Sequence, residues 1–354
     1  MAHGLLTIDC GAVVRNWRRL GEIHAGGAVA GVVKADAYGL GAAQVAGALR
    51  DAGCRHFFVA TVEEGTALRE ALGDEPMIAV LNGFEAGRHP RLTPVINSLE
   101  QLRAHSGPHS GPHSGQLILH VDSGMSRLGL PLDELEALAA DPTPLEGVEL
   151  IFIMTHLAAA EDAGHPMNLA QLTRFHEACL RLPRARRSIA NSSGIFLGPR
   201  FASELARPGA ALYGLNPTPG KPNPMEPVIT LTGQVLQIRD IPAGQTVGYG
   251  GAWLATRPSR IATIGLGYAD GMPRAVDGKL KARYRGQEFP LVGRVSMDLM
   301  TFDVTDVTGL QPGRWIELIG PHQDADAVAE MAGTIGYEVL TSLGRRFRRE
   351  YLPA

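Results

Sequence analysis

Cysteine is scarce in this sequence, which has only three such residues in 354 positions. Cys10, Cys54 and Cys179 are odd in number and widely spaced, a pattern that excludes a disulfide scaffold and fits a reducing compartment. The CxxC, HExxH and acidic calcium-loop patterns are missing as well. We therefore predict that the protein has no metal site.

Long apolar stretches are also missing. No uncharged apolar run approaches the roughly 20 residues that a membrane helix needs, so we predict no membrane association. The opening "MAHGLLTIDCGAVVRNW" contains no early basic residue and no small-residue cleavage site. This predicts a cytoplasmic protein without a signal peptide.

Neither sign of charge is in large excess, because the formal net charge is −3. This balance does not favour a nucleic-acid partner. The basic cluster "RRFRRE" at 345–350 is interpreted as a solvated surface, with a polyanion site as the alternative. Apolar residues make up 45% of the chain and charged residues 19%, as in a folded globular protein, and the length suits two domains or a barrel with an appendage.

The first part of the chain alternates short apolar runs with amphipathic ones. Strands are predicted at 28–33, 56–61, 77–82, 93–97, 117–122, 148–156, 187–191 and 210–214. Helical patterns lie between them, and "SLEQLRAH" begins with a capping box formed by Ser98 and Gln101. Strands separated by helices predict a parallel (β/α)8 TIM-type barrel over residues 1–227, with a doubly wound sheet as the alternative.

A tandem repeat, "HSGPHSGPHSG" at 105–115, follows the fourth predicted strand and its helix. Its three histidines suggest a metal site, but proline and glycine exclude the helix that would align them. We predict a mobile surface loop here.

The pattern changes after "NPTPGKPNPMEP" at 216–227, which is typical of a linker. Residues 228–354 contain β-rich runs such as "VITLTGQVLQIRDI" and "RWIELIG", separated by turn residues, and one late helical run. They predict a mainly β C-terminal domain. The segment "GLGYADG" at 265–271 is not a dinucleotide fingerprint, because its glycine spacing is wrong and it begins no helix.

Polar residues concentrate where the predicted barrel strands end, which is where parallel barrels carry their active sites. The residues predicted there are Lys34, Asp36, Tyr38, Asp122, Arg127, Thr155, His156, Asn191 and Ser192, with Arg207 just before the eighth strand. Three of them have a purely structural alternative: His156 as a core histidine, Ser192 as a helix cap and Arg207 as part of a surface turn. Their coincidence at one rim favours a site.

Two features of this rim indicate the class of ligand. Gly209 and Ala210 lie at the end of strands seven and eight, where such barrels bind phosphate through backbone N–H groups. Lys34, in apolar surroundings, would have a lowered pKa and act as an amine nucleophile. An amine and a phosphate cradle together predict an aldehyde-bearing phosphate held as a Schiff base, and pyridoxal 5'-phosphate (PLP) fits that description.

Several motifs resemble those of the alanine racemases, which are PLP enzymes of fold type III with a barrel and a β domain. In the family's order and spacing, over nearly the whole chain, they are "VVKADAYGLG", "VDSGMSRLG", "THLA", "ANSSG", "ARPGAALYG", "VGYGGAW", "GYADG" and "RVSMD". The resemblance implies interconversion of L- and D-alanine, supplying D-alanine for peptidoglycan. It also implies a homodimer with shared active sites.

The resemblance implies two catalytic bases. Lys34 forms the internal aldimine and is the base on one face of the cofactor. Tyr249 of the partner subunit is the base on the other face. Two bases are needed because a racemase must remove a proton from one side and return one to the other. His156 and Arg207 form a polar chain that supports Tyr249. Arg207 is also the partner of the pyridine nitrogen, which stays unprotonated because a guanidinium accepts no proton.

Binding roles follow from the same resemblance. The residues that match the phosphate contacts are Tyr38, Ser192, Gly209, Ala210 and Arg345, the last at a position where family members often carry tyrosine. Arg127 and the backbone N–H of Met297, again from the partner subunit, match the site for the substrate carboxylate.

His120 departs from the family's pattern, since many relatives have a carbamylated lysine there that steadies the carboxylate-binding arginine. An imidazole forms no stable carbamate, so we expect activity that is indifferent to bicarbonate and a weaker tether from His120 to Arg127. The alternative is that His120 is only a packed strand residue.

Three other functions stay open from the sequence. They are a racemase of similar fold acting on another amino acid such as serine or lysine, a fold type III decarboxylase, and a non-catalytic PLP-binding protein. A decarboxylase needs a carboxylate in place of Arg207 at the ring nitrogen. The single-barrel binding protein lacks a second domain such as residues 228–354.

Overall fold

The structure is a computed structural model that describes residues 2–83, 91–106 and 115–354. Most of the histidine repeat, predicted as a surface loop, lies outside the described residues, at 107–114. The chain divides into two compact units. Val13–Glu226 form the barrel unit, and Met1–Ala12 together with Pro227–Ala354 form the β unit.

Strands and helices alternate over much of the first part of the chain. Strand β1 (Gly4–Asp9), which belongs to the β unit, and helix α1 (Cys10–His24) come first. The barrel strands are β2 (Ala28–Val29), β3 (Gly31–Val32), β4 (His56–Val59), β5 (Met77–Val80), β6 (Thr93–Ile96), β7 (Gln116–His120), β8 (Glu149–Met154), β9 (Arg186–Ser188) and β10 (Leu205–Ala206). The helical segments between them are α2 (Lys34–Gly39), α3 (Ala42–Asp51), α4 (Val62–Leu72), α5 (Leu99–Ser106), α6 (Leu132–Ala140) and α7 (Pro166–Arg181).

Within the described residues, the strands of the barrel unit close into a ring. β3 to β9 form a parallel sheet in sequence order, and β10 pairs in parallel with β2. The Arg207 N–H donates to the Ala190 carbonyl at 2.8 Å, and the Ala30 N–H, between β2 and β3, donates to the Ala206 carbonyl at 2.9 Å. These bonds complete a parallel (β/α)8 barrel, which confirms the predicted fold class.

The predicted eighth strand at 210–214 is wrong. Residues Ala210–Tyr213 form a 3₁₀ helix, and the strand that closes the barrel is β10. Pro208 cannot donate to a strand ladder, and two paired residues are too few to show a periodicity in the sequence. Arg207 therefore directly follows the eighth strand, at its carboxyl end.

Apolar side chains from neighbouring strands fill the barrel interior. Val32, Phe58, Ala79, Val95 and Ile118 belong to five successive strands and pack in one buried cluster. Strands of a parallel barrel are covered on both sides, so their sequences are continuous apolar runs without alternation. This is why the strands from 56 to 154 could be predicted from the sequence.

The β unit is built on one large sheet with the order β16-β15-β18-β11-β1-β19, to which β14 and β17 are joined through β11. Besides β1, the strands of the β unit are β11 (Ile229–Ile241), β12 (Thr246–Val247), β13 (Trp253–Leu254), β14 (Ser259–Ile264), β15 (Lys281–Tyr284), β16 (Gln287–Pro290), β17 (Met300–Asp303), β18 (Trp315–Ile319) and β19 (Arg348–Leu352). Strands β12 and β13 pair with each other, apart from the large sheet. Helices α8 (Ala325–Ala332) and α9 (Gly336–Ser342) precede the last strand.

The structure divides the chain differently from the sequence at the N-terminal strand. The sequence places residues 1–227 in one domain, whereas β1 pairs antiparallel with β11 and parallel with β19 and so belongs to the β unit. Its alternating burial, with Leu6 and Ile8 fully buried, is typical of a strand with one covered face.

The described ranges contain neither a membrane-spanning helix nor a cluster of metal ligands. None of the helices there is both long and apolar enough to cross a membrane. No group of three histidine, cysteine, aspartate or glutamate side chains comes together as metal ligands in the same ranges.

Candidate active site

Lys34 lies where the first barrel strand ends. The Val33 N–H continues the ladder to the Phe58 carbonyl at 2.9 Å, and the half-buried Lys34 side chain follows at once. Burial lowers the pKa of Lys34, the Arg127 guanidinium lowers it further, and Glu64 acts in the opposite direction. The amine is therefore easier to deprotonate than a surface lysine.

The backbone after Lys34 is left-handed. Ala35, Asp36, Ala37 and Tyr38 have φ of 53–56° and ψ of 37–53°, although none of them is glycine. A left-handed conformation costs roughly 1–2 kcal/mol for each such residue, so the surroundings must impose it. The turn is held by the Glu64 carboxylate, which accepts the Ala35 N–H at 2.8 Å, and by the Asp36 carboxylate, which accepts the Ala42 N–H at 2.7 Å.

A glycine in this turn is expected to stabilise the protein. Ala35→Gly, at an exposed position, should raise the free energy of unfolding by about 0.5–1 kcal/mol, because relief of the left-handed strain exceeds the added chain entropy of glycine. The control Ala137→Gly, in the exposed interior of α6, should lower it by about 1 kcal/mol. Urea unfolding measures the free energy of unfolding of both variants. An equal decrease in the two would contradict the proposed strain at Ala35.

Tyr38 approaches Gly209 closely. A Cβ atom on Gly209 would lie 2.2 Å from the Tyr38 hydroxyl, so only glycine admits this hydroxyl. The Tyr38 ring packs on Tyr213 with a centroid distance of 4.7 Å, and Tyr213 donates its hydroxyl to the Val32 carbonyl at 2.8 Å. Burial raises the pKa of Tyr38 to about 12, so its hydroxyl keeps its proton.

Ser192 faces the same segment. Its Oγ accepts the N–H of Gly209 at 3.1 Å and that of Ala211 at 3.2 Å, next to the buried Ala210. It makes no side-chain cap to the 3₁₀ helix Ser193–Leu197 that follows it, so the interpretation of Ser192 as a helix cap is wrong. Hydroxyl and amide groups from two strand ends thus come together.

Arg207 is buried beneath the barrel mouth, with 5% of its surface exposed, which excludes a surface turn. Its NH1 group donates to Ser188 Oγ and its NH2 group to the Thr155 carbonyl, both at 2.5 Å. Burial lowers the pKa of Arg207 to about 10, which still leaves it charged at neutral pH. In the part of the chain that the structure describes, no carboxylate forms an ion pair with it.

Two histidines near Arg207 are neutral. Burial, followed by the charge of Arg207, lowers the pKa of His120 and of His156 to about 3. His120 Nδ1 lies 2.8 Å from Asn97 Oδ1. Because Asn97 Nδ2 donates to two carbonyls, of Leu81 and Val95, Oδ1 is the acceptor and His120 carries its proton on Nδ1. His120 Nε2 is therefore a hydrogen-bond acceptor.

The lowered pKa of His120 predicts acid sensitivity. The unfolded chain binds a proton as the pH falls below about 6.5, whereas the folded protein does so only near 3, so stability decreases between these values. When the pH is lowered from 7.5 to 5, the free energy of unfolding should fall by about 2 kcal/mol less for His120→Gln than for the wild type. The exposed His322→Gln should follow the wild type. Chemical unfolding at both pH values measures this, and identical pH dependence in all three proteins would contradict it.

Arg127 is carried by a tight loop after β7. The Asp122 carboxylate accepts the N–H groups of Gly124 and Met125 at 2.8 Å and of Ser126 at 3.0 Å. The loop is closed where the Asp122 N–H donates to the Leu130 carbonyl at 3.0 Å. Arg127 itself is exposed.

A polar network connects this loop with the two neighbouring strand ends. Ser123 Oγ lies 2.7 Å from Thr155 Oγ1, and the Thr155 carbonyl binds Arg207. Gln171, fully buried on α7, donates to the His156 carbonyl at 2.9 Å and to Ser123 Oγ at 3.3 Å, and accepts the Ala158 N–H at 2.8 Å. The network fixes the backbone around His156 and Arg207 together with the Arg127 loop.

Three predicted site residues belong to the β unit. Tyr249 is 70% exposed and Met297 54% exposed, and Arg345 is exposed as well. The remaining predicted residues, together with Asp122 and Thr155, lie at or near the carboxyl ends of the barrel strands.

Sequence reasoning missed Glu64, Asn97 and Gln171. Glu64 and Asn97 show no signal in the sequence, because each holds a backbone segment or side chain that is distant along the chain. Gln171 shows a weak one, since it lies four residues before the buried Phe175 and so shares the apolar face of α7.

A parallel (β/α)8 barrel with charged, hydroxyl and amide groups at the carboxyl ends of its strands defines an enzyme of the barrel class. The model of the alanine racemase N-terminal domain matches residues 8–217, and that of the alanine racemase C-terminal domain matches residues 228–351. The chain belongs to the alanine racemase family, which confirms the resemblance.

Individual relatives match over almost the whole chain. An alanine racemase of Acidiphilium cryptum is 55% identical over 354 residues, with 99% of each chain covered. A catabolic alanine racemase of Mesorhizobium japonicum is 49% identical and covers 99% of this chain, which spans 94% of that protein. Among solved structures, alanine racemase from Bartonella henselae with covalently bound pyridoxal phosphate has a TM-score of 0.93 at 43% identity, with 99% of this chain and 100% of that one covered.

Proposed function

We propose that the protein is a PLP-dependent alanine racemase that interconverts L- and D-alanine with two bases. It acts in the cytoplasm as a homodimer with shared active sites and supplies D-alanine for peptidoglycan. The barrel domain extends to about residue 227, and the β domain contributes Tyr249, Met297 and Arg345.

The residues at the barrel mouth fit PLP. The absence of a Cβ atom on Gly209 leaves room for the Tyr38 hydroxyl, and Ser192 Oγ is within hydrogen-bond distance of two N–H groups there. Neutral hydroxyl and amide donors of this kind bind a phosphate. Lys34 supplies the amine for an aldehyde, and its lowered pKa favours the nucleophilic form.

The observation that carries the proposal is the surroundings of Arg207. A buried guanidinium, held by Ser188 and Thr155 and without a carboxylate ion pair in the described ranges, occupies the position expected to face the pyridine nitrogen. A guanidinium cannot transfer a proton to that nitrogen, which limits electron withdrawal from the substrate. This favours a racemase over a decarboxylase.

PLP, when bound, withdraws electrons from the α-carbon of the substrate and makes its proton easier to remove. Lys34 Nζ takes or returns that proton on one face, and the Tyr249 hydroxyl of the partner subunit does so on the other. Arg127 and the Met297 N–H bind the substrate carboxylate. Neutral His156 adds no positive charge beside Arg207, and it connects Arg207 with Tyr249 through hydrogen bonds.

The test is an assay of the purified protein with added PLP. Incubation with L-alanine or with D-alanine should give the same equal mixture by chiral chromatography, and borohydride treatment should abolish the activity. Faster conversion of serine or lysine would assign another substrate. Cofactor binding without conversion, or release of carbon dioxide, would contradict the proposal.

A further inference from the structure

The turn that carries Met297 is held by the backbone of the "GYADG" motif. The Tyr268 N–H donates to the Ser296 carbonyl at 3.0 Å, and the Ala269 N–H donates to the Met297 carbonyl at 2.9 Å. The Ser296 N–H closes the turn by donating to the Leu299 carbonyl at 3.0 Å. Both carbonyls that flank the Met297 nitrogen are therefore fixed.

This arrangement determines the direction of one N–H bond. In a trans peptide the C=O and N–H groups point in opposite directions, so the bond from Tyr268 to the Ser296 carbonyl turns the Met297 N–H away from residue 268. Among the residues that the structure describes, no acceptor is paired with the Met297 N–H. The peptide presents this donor from a surface turn.

The contact depends on Gly267. A Cβ atom there would lie 2.3 Å from the Ser296 carbonyl oxygen and 2.4 Å from that of Met297. The two backbone segments approach this closely only because residue 267 has no side chain. The glycine at position 267 of the motif thus has a structural explanation.

A buried carboxylate connects this motif to the C-terminal segment. Asp270 is 2% exposed, and its Oδ2 accepts the Gly267 N–H at 3.0 Å. Its Oδ1 lies 3.0 Å from Arg346 Nε, and Arg346 NH1 donates to Asp298 at 2.7 Å. Arg346 therefore joins the motif under the turn to the residue next to Met297.

We propose that Arg346 and Asp270 are positioning residues that hold the Met297 N–H in the direction needed to bind the carboxylate of the substrate. The inference rests on the proposed function, which assigns the carboxylate to this N–H. Arg346 does not itself bind the substrate. It fixes the turn through Asp270 on one side and Asp298 on the other.

The test compares Arg346→Met with Arg348→Met. The exposed Arg348 lies in the same basic run and pairs with Glu350, so its loss removes the same charge without touching Asp270. We expect Arg346→Met to raise KM for both enantiomers of alanine about tenfold, with kcat within about twofold of the wild type. A hydrogen bond to a charged group contributes roughly one to two orders of magnitude in affinity, and a misaligned Met297 N–H would lose part of that contribution. Arg348→Met should match the wild type.

A second measurement separates positioning from general damage. Inhibition by propionate, a carboxylate without an amine, should weaken by the same factor in Arg346→Met, whereas inhibition by ethylamine, an amine without a carboxylate, should not change. Equal weakening for both inhibitors, or unchanged KM and unchanged propionate inhibition in the folded variant, would overturn the inference.

If Arg346→Met does not fold, Asp298→Asn tests the same connection from the exposed side. It should give a smaller rise in KM, about threefold, with the same split between the two inhibitors. Unchanged kinetics in this variant would also overturn the inference. Failure of the proposed function is recognised separately, because the wild type and Arg348→Met would then not racemise alanine.

Discussion

Replacing Lys34 by alanine is expected to lower racemisation of both enantiomers by at least about 10⁴-fold, because one amine provides both the link to the cofactor and one of the two bases. The visible absorbance of a lysine-bound cofactor should disappear with the activity. Lys34 is half-buried at a strand end, and its lowered pKa supports this role. Activity by chiral chromatography and the absorbance spectrum measure the two effects.

The matched control is Lys221→Ala, which removes an exposed lysine from the linker and should change neither quantity. Visible absorbance that persists in Lys34→Ala and resists dialysis would show that another lysine holds the cofactor. That outcome would contradict the assignment of Lys34.

Tyr249→Phe is expected to keep the cofactor and to lower racemisation by about 10²–10⁴-fold, the usual contribution of one positioned base. The change removes only a hydroxyl from a side chain that is 70% exposed in the chain, so the fold should tolerate it. Exchange of the α-proton with solvent should fall more for L-alanine than for D-alanine. Proton NMR in deuterated water measures this, with Tyr351→Phe as a control in the same unit.

Mixing the two inactive variants tests whether sites are shared. A heterodimer of Lys34→Ala with Tyr249→Phe contains one site with both defects and one with none, so random exchange should restore about a quarter of the wild-type activity if each site uses both subunits. No recovery after verified exchange would argue that Tyr249 acts within its own chain.

In the Tyr249→Phe variant, equal loss of proton exchange for both enantiomers would contradict the two-base mechanism.

The sequence was sufficient for features that repeat along the chain. The apolar runs of β4 to β8 and the amphipathic helices between them predict the barrel, because burial on both sides of a parallel strand leaves a continuous apolar run. Strand β10 has two residues and no such run, and the apolar segment that follows it, Ala210–Tyr213, is buried as a 3₁₀ helix instead. Periodicity cannot distinguish these two cases over so few residues.

The residues of the site also fall into those that the sequence predicts and those that it does not. Lys34 and Arg207 follow strands directly, and Tyr38 lies in the turn after Lys34, so the geometry of a parallel barrel places them at one rim. Glu64, Asn97 and Gln171 act through hydrogen bonds across the fold, and such pairings depend on tertiary contacts that a single sequence does not contain. The left-handed turn at 35–38 is also invisible there, because alanine and tyrosine do not favour that conformation.

The position of β1 between β11 and β19 has a consequence for how the chain folds during synthesis. Leu5 pairs with Arg348 and with Thr232, so a strand made among the first residues has no partner until the sheet's other strands leave the ribosome. At about 5–20 residues per second this delay lasts tens of seconds, during which the barrel strands, whose partners are close in sequence, can pair. An interrupted chain that lacks Arg348–Leu352 would keep one edge of β1 open, and an open strand edge is a template for aggregation.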